Sequence, residues 1–259
     1  MKIGFQKYQG TGNDFVMIDS LDNTNFSLSK SQIKTLCDRR FGIGADGIIL
    51  IYQHSPSDFE MRYFNADGSR SFCGNGARCA VRFAHKLGLF EEKTRFLAID
   101  GIHEAELIND KVALKINDVD QWQTDKSAFI LDTGSPHYIK FTEKLDGENI
   151  VEFGKSIRYS STFEENGINV NLVEITEDRS LSMLTYERGV EDETYSCGTG
   201  ATAVALAYMI KKELFGTQKI ALKVKGGSLS VQATRDENKF TNIYLIGPAS
   251  SVFYGEISI

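Results

Sequence analysis

Cys73-Gly74-Asn75-Gly76-Ala77 and Cys197-Gly198-Thr199-Gly200-Ala201 are two copies of one short phrase, 124 residues apart. Each leads into a stretch of helical character, residues 78–84 after the first and 202–207 after the second. A cysteine just before a helix start sits where backbone N–H groups and the helix dipole favour negative charge, which stabilises a thiolate. The glycines allow the backbone to approach a ligand closely, and the same N–H groups can hold a carboxylate. One Cys-Gly-x-Gly is compatible with a small buried residue before a turn. Two copies, each followed by Ala and a helix, point to paired thiols and to a duplicated chain.

Organisation along the chain supports that reading. In the first half, residues 2–8 and 14–19 read as strands joined by the turn Gln9-Gly10-Thr11-Gly12-Asn13. Residues 29–40 read as a helix capped by Ser29, followed by strands at 48–52 and 59–64. After the Cys73 helix, which ends near Leu87-Gly88, come strands at 94–99, 103–107 and 112–116. The second half repeats the rhythm: extended segments within 129–141, a helix over 150–160, and strands at 168–175 and 181–186. The Cys197 helix runs to about residue 214, before strands at 220–224, 229–234, 241–246 and 252–259. Many strands and few helices, with two similarly placed Cys-led helices, predict an α+β fold of two pseudo-symmetric domains. Each would wrap a β-sheet or barrel around a central helix. The polar stretch 117–127 reads as the linker.

With 259 residues, 41% hydrophobic and 25% charged, the chain has material for one or two cores. A formal net charge of -6 and the lack of any long Lys/Arg run argue against nucleic acid as a partner. No stretch approaches the ~20 apolar residues of a membrane span, and residues 1–7 carry no apolar signal core, so a cytoplasmic location is expected. The four cysteines, Cys37, Cys73, Cys79 and Cys197, are then expected as free thiols. Cys37 and Cys79 lie within helical patterns and read as packing residues. Neither the cysteines nor the four histidines show ligand spacing, so no metal site is expected. Gly42-Ile43-Gly44-Ala45-Asp46-Gly47 fits a dinucleotide-binding pattern, but a helix precedes it and a strand follows. That is the reverse of the order such a site requires, and no cofactor is expected.

Asn13-Asp14, Asn65-Ala66-Asp67-Gly68 and Asn75-Gly76 are each ordinary turn sequences on their own. Together with the cysteine phrases they carry a resemblance. Gly10-Thr11-Gly12-Asn13-Asp14-Phe15, Arg40-Phe41-Gly42-Ile43-Gly44-Ala45-Asp46-Gly47, Phe64-Asn65-Ala66-Asp67-Gly68-Ser69, Cys73-Gly74-Asn75-Gly76-Ala77-Arg78-Cys79, Gly134-Ser135-Pro136-His137, Gly167-Ile168-Asn169-Val170, Tyr186-Glu187-Arg188-Gly189, Glu193-Thr194 and the Cys197 phrase run in the order found in diaminopimelate epimerases. The chain resembles that family of amino-acid epimerases, which work without pyridoxal phosphate.

The resemblance implies a fold with the active site in the cleft between two domains, residues 1–118 plus 249–259 and residues 119–248, the final strand returning to the first domain. It implies that L,L-2,6-diaminopimelate is the substrate, that the meso isomer is the product, and that the reaction serves lysine biosynthesis. Cys73 and Cys197 would be the two catalytic acid/base groups, with Cys197 taking the proton from the L,L substrate. His137 and Glu187 would help set the protonation of the thiols. Asn13, Asn65, Asn169, Glu187 and Arg188 would bind the distal end of the substrate. Gly74, Asn75, Gly198 and Thr199 would hold the reacting α-carboxylate. A homodimer is the expected assembly. The chain departs from the family at Gly47, where some members have glutamine, and at Ser135, where many have asparagine. The Ser135 change leaves a shorter distal contact, able to reach substrate through a water.

Two alternatives follow from the same residues. A racemase of the proline or hydroxyproline type would use the same thiols, but its substrate lacks the second charged end that Glu187, Arg188 and the asparagines suit. A thiol redox sensor or carboxylate-binding module would need a reactive cysteine, but not that surrounding set. The phenazine-biosynthesis type of isomerase lacks the cysteine pair.

Overall fold

The computed structural model describes residues 2–23, 25–125 and 128–258. The chain divides into two compact units, residues 1–114 with 247–259 and residues 115–246.

The first unit begins with β1 (Lys2–Gly10) and β2 (Asn13–Asp19), an antiparallel pair whose ends Gly10 and Asn13 face each other. The two residues between them, Thr11 and Gly12, have φ of 53° and 86°, the positive pair that a tight hairpin turn requires. Helix α1 (Lys30–Cys37) starts at Ser29 through a reciprocal cap: Gln32 N–H donates to Ser29 Oγ, and Ser29 N–H donates to Gln32 Oε1 at 2.9 Å. Strand β3 (Gly47–Tyr52) runs parallel to β2 and antiparallel to β4 (Phe59–Asn65). Helix α2 (Gly74–Lys86) follows, then β5 (Lys93–Ala98), parallel to β4, and the antiparallel β6 (Gly101–Ile108) and β7 (Lys111–Ile116).

Strand β3 is buried along its whole length, as its run Ile48-Ile49-Leu50-Ile51 predicts for a strand covered on both faces. Ile48 and Leu50 pack with Ile33 and Leu36 of α1, whereas Ile49 lies against the start of α2 beside Gly76. Alternation along the strand thus places the two helices on opposite faces.

The second unit contains β8 (Trp122–Asp125), β9 (Ala128–Asp132), β10 (Pro136–Thr142), α3 (Ile150–Arg158), β11 (Asn169–Glu177), β12 (Ser180–Glu187), the short β13 (Asp192–Glu193), α4 (Gly198–Lys211), β14 (Gly216–Val224), β15 (Gly227–Arg235) and β16 (Phe240–Pro248). The last strand, β17 (Ser250–Ser258), pairs antiparallel with β1 in the first unit.

The duplication is visible in the ladders. Reading β17-β1-β2-β3-β4-β5-β6-β7, successive pairs are antiparallel, antiparallel, parallel, antiparallel, parallel, antiparallel and antiparallel. Reading β8-β9-β10-β11-β12-β14-β15-β16 gives the same series. In each unit a helix bridges each parallel pair, as parallel neighbours require a crossover. Helix α4 is apolar nearly all round, and Val204, Leu206 and Tyr208 sit in a core with Ile220, Leu222, Val231, Phe240 and Leu245. Helix α3 covers the other face, against Val170, Leu172 and Tyr186.

One expectation is corrected. The stretch 117–127 is not a free linker: it holds β8, paired with β9, and Val119, which bridges Phe240 and joins the core. Its polar character reflects an edge strand with one wet face. Lys126 and Ser127 lie outside the described residues, as does Ile259 at the end of the predicted last strand. No helix among the described residues is long and apolar enough to cross a membrane, and none of their His, Cys, Asp and Glu side chains cluster to hold a metal ion.

Candidate active site

Cys73 and Cys197 occupy equivalent places, each the N-cap of its helix with an extended backbone: φ −135° and ψ 115° for Cys73, φ −118° and ψ 114° for Cys197. Neither thiol caps its helix through the side chain. The first intrahelical bonds are Ala77 N–H to Cys73 O (2.8 Å) and Ala201 N–H to Cys197 O (2.9 Å). The N–H groups of residues 74–76 and 198–200 therefore point out of the helix starts, where negative charge is favoured. Cys197 is buried and Cys73 is half-buried. The other two cysteines differ: burial pushes the Cys37 thiol up to about 11 and the Cys79 thiol up to about 12, so both stay protonated packing residues.

Around Cys73 the partners come from the β1–β2 hairpin and the loop before β3. Cys73 Sγ donates to Asn13 Oδ1 at 3.5 Å, and Asn75 Nδ2 donates to the same oxygen at 3.3 Å. Asn13 Nδ2 donates to Asp46 Oδ2 at 2.5 Å. Asp46 in turn accepts from Arg39 Nη2 (2.7 Å), and Arg39 forks onto Asp14 at 2.7 and 3.0 Å. Lys7 closes the group with a 2.8 Å ion pair to Asp14 and a bond to Gly44 O. Burial alone would raise the Asp14 carboxyl, but the bonds from Arg39 and Lys7 outweigh it and hold Asp14 well below the usual carboxylate range.

On the helix side, Arg78 is 0% exposed. It donates from Nη1 to Asn75 Oδ1 (3.0 Å), from Nη2 to Thr11 Oγ1 (3.2 Å) and from Nε to Pro248 O (3.5 Å). No carboxylate pairs with it among the described residues. Thr11, a β-branched residue held at positive φ, is thus tied to the start of α2.

Around Cys197 the partners are different. Cys197 Sγ lies 3.4 Å from Thr199 Oγ1, and Thr199 Oγ1 lies 2.9 Å from His137 Nε2. Asn171 Nδ2 lies 3.1 Å from His137 Nδ1 and 3.2 Å from Tyr138 O, while Asn171 Oδ1 accepts from Thr185 Oγ1 at 3.0 Å. Burial, with the Arg188 charge adding to it, lowers His137 to about 3, so the ring is neutral. Gly200 makes the close approach possible, because a Cβ there would meet Asn171 Oδ1 at 3.0 Å and His137 Cε1 at 3.1 Å. His137 therefore reaches the cysteine through the Thr199 hydroxyl.

The residues read as binding a distal group are placed as follows. Asn169 donates from Nδ2 to Ser135 Oγ (2.8 Å) and Pro136 O (3.0 Å), and its Oδ1 accepts from Arg188 N–H (2.9 Å). Ser135 thus orients Asn169 through a direct hydrogen bond. Arg188 donates from Nη1 to Asn166 O at 2.8 Å and has no carboxylate partner among the described residues. Glu187 precedes it at the end of β12, opposite Asp192. Asn65, beside the first cysteine helix in sequence, accepts from Tyr63 Oη (2.8 Å) and donates to Ser69 Oγ and Ser71 Oγ. At Gly47 a Cβ would lie 2.4 Å from both Phe64 O and the Tyr63 ring, so Tyr63 occupies the space a side chain would need.

Sequence reading did not single out Arg39, Asp46, Arg78, Asn171 or Thr185, and it valued Thr199 for its N–H and not for its hydroxyl. Signals existed for two of them: Arg78 interrupts an otherwise small and apolar helix face, and Asn171 interrupts the apolar run of β11. The others read as ordinary polar residues, because their partners are distant in sequence.

The sequence profile of the family described as "Diaminopimelate epimerase" matches residues 5–120 and 129–252. A diaminopimelate epimerase from Flavobacterium psychrophilum is 46% identical over 249 residues, 95% of this chain and 97% of that protein. One from Aquifex aeolicus is 34% identical, covering 98% and 97%. Among solved structures, a PhzF-family phenazine biosynthesis protein from Bacillus anthracis matches with a TM-score of 0.77 over the whole of both chains at 16% identity. A hydroxyproline epimerase from Agrobacterium vitis matches with a TM-score of 0.71, covering 100% and 93% at 12% identity. At such low identities these two share the fold alone. The profile match across nearly the whole sequence, together with the identity to full-length relatives, places this chain in the diaminopimelate epimerase family.

Proposed function

We propose that this protein interconverts L,L- and meso-2,6-diaminopimelate without a cofactor, Cys73 and Cys197 serving as acid and base at one α-carbon. The observation that carries the reading is the placement of two thiols at equivalent helix N-caps in the two duplicated units. An α-hydrogen beside a carboxylate is a weak acid, so the developing charge must be stabilised electrostatically. Two helix starts directed at the α-carboxylate, through the N–H groups of Gly74, Asn75, Gly198 and Thr199, supply that.

In the L,L direction the Cys197 thiolate takes the α-proton and the C–H electron pair moves into the carboxylate. The Cys73 thiol then gives its proton to the opposite face, which leaves Cys73 as thiolate and Cys197 as thiol. The reverse reaction swaps the roles, and the pair titrates as a unit. His137 and Glu187 tune the thiols. Asn13, Asn65, Asn169, Glu187 and Arg188 recognise the distal amino-acid group. Arg188, a cation with no carboxylate partner among the described residues, favours a substrate with a second carboxylate over proline-type substrates. The product supplies lysine biosynthesis in the cytoplasm, and the protein acts as a homodimer.

The test is exchange in heavy water, with reduced protein and L,L-diaminopimelate followed by NMR and chiral chromatography. Meso product with deuterium at the inverted centre is the expected result. Exchange with proline but not diaminopimelate would keep the thiols and discard the substrate. No exchange with any amino acid would leave the redox or binding reading.

A further inference from the structure

The hydrogen-bond networks behind the two cysteines offer different groups to sulfur: the chemistry of their ends turns a carbonyl acceptor toward Cys73 and places a hydroxyl, able to donate, beside Cys197. Behind Cys73, Asp46 can only accept, so the Asn13 atom facing it at 2.5 Å is the amide nitrogen. Asn13 Oδ1 then faces Cys73, and a carbonyl oxygen can only accept, so this bond exists only while the sulfur carries its proton. Arg78 fixes the neighbouring amide the same way: it can only donate, so Asn75 turns its oxygen to Arg78 and its nitrogen to Asn13.

Behind Cys197, the Tyr138 carbonyl can only accept, so Asn171 presents its nitrogen there and to His137 Nδ1. Thr185 holds the other side of that amide. A neutral His137 whose Nδ1 accepts must carry its proton on Nε2, which then donates to Thr199 Oγ1. The Thr199 hydroxyl, 3.4 Å from Cys197 Sγ, then keeps a proton that it can donate to a thiolate there, whereas the Asn13 carbonyl can offer Cys73 none.

We propose that these two networks preset the substrate-free protein with the thiolate on Cys197 and the proton on Cys73, and that Asp46 with Arg39, and Asn171 with Thr185, are the positioning residues that set the direction of each. The inference rests on the two-thiol reading above and names what breaks its symmetry. The titratable and charged groups around Cys73 include Arg78 and Cys79 of its own helix and Asp46, Arg39 and Asp14 behind Asn13. Behind Cys197 the titratable group is His137, reached through Thr199 and itself acted on by the Arg188 charge. The buried Arg78 charge favours ionisation of Cys73 and so opposes the Asn13 carbonyl. That opposition keeps Cys73 able to become a thiolate once it has given its proton away.

The test is alkylation of the substrate-free protein by iodoacetamide across pH, with each cysteine followed by peptide mass spectrometry. The midpoint of each pH profile reports the apparent ionisation of that sulfur within the coupled pair, independently of how accessible it is. Cys197 is expected to have the lower midpoint, by about one pH unit. Thr199→Val should raise the Cys197 midpoint by a similar amount, and Thr199→Ser should restore it. Asp46→Asn, whose amide no longer dictates how Asn13 lies, should lower the Cys73 midpoint. It should do so equally in 0.5 M KCl, where through-space effects of the exposed Arg39 and Asp46 charges are screened. A lower midpoint at Cys73 than at Cys197 in the wild type would overturn the proposal. So would a Cys197 midpoint unmoved by Thr199→Val, or a Cys73 midpoint unmoved by Asp46→Asn at high salt. Because no substrate is present, these outcomes are separate from failure of the exchange assay.

Discussion

The starts of α2 and α4 share a phrase, a cap geometry and a place in the duplicated ladder, yet they differ at the positions that govern the sulfur. Asn75 in the first corresponds to Thr199 in the second, and Arg78 to Thr202. In α2 a buried guanidinium holds the amide of Asn75 and ties the helix to the β1–β2 turn. In α4 both positions are hydroxyls: Thr202 Oγ1 donates back to Gly198 O at 3.0 Å, while Thr199 links Cys197 to His137. Duplication of the fold preserved the helix start as an anion-favouring place. Divergence of two side chains made one sulfur a neighbour of a carbonyl and the other a neighbour of a hydroxyl.

Four experiments would break or sharpen that comparison. The most damaging substitutions are Cys73→Ser and Cys197→Ser, each expected to slow epimerisation by on the order of 10³-fold through loss of one acid/base partner. Either variant within tenfold of the wild type would end the equivalence of the two sites. Next is Arg78→Met, which removes a buried donor shared by Asn75 Oδ1, Thr11 Oγ1 and Pro248 O. A loss of about 3 kcal/mol is expected in urea unfolding, against roughly 1 kcal/mol for Thr202→Val, whose hydroxyl only adds a bond within the helix. Equal losses would mean that Arg78 is no more than a packing residue.

The third experiment concerns pH. His137 is lowered by burial from an ordinary value of 6.5 to about 3, so below pH 6.5 the unfolded chain binds a proton that the folded chain refuses. Stability is therefore fully present above pH 6.5 and falls as the pH drops toward 3. His137→Gln, which does not titrate, should flatten the stability profile across that window, and an unchanged slope would refute the assignment. The smallest effects are at the outer helices, where Ser29→Ala and Asn149→Ala each remove a cap and should cost about 1 kcal/mol. Thermal unfolding of the two variants would show whether the reciprocal cap of α1 is worth more than the single bond from Asn149 to Glu152 N–H at the start of α3.

Much of the fold was legible because its signals are local. Ser29 at the start of the first helix, the turn at residues 9–13, the apolar run 48–51 and the glycines beside each cysteine all act within a few residues. The linker reading failed at residues 117–127 for a matching reason: an edge strand with one wet face has a polar composition, and only its pairing with β9 reveals it. The two helix-start cysteines and the asparagines were legible in the sequence, but not the groups that fold up behind them. Asp46 meets Asn13 across 33 positions, Thr199 meets His137 across 62, and Arg78 meets Thr11 across 67. Polar residues have no periodicity that marks such pairings in advance.

The sequence by itself determined that there are two cysteine-led helices, where they start, and that the chain repeats a β-rich unit, since caps, turns and alternation are written in neighbouring residues. Only the tertiary structure decided which way each amide and imidazole faces at the two sulfurs. Hydrogen-bond direction is set by the groups at the far ends of each chain of contacts, an aspartate and an arginine in one unit and a backbone carbonyl in the other, and folding alone brings those groups to the cysteines.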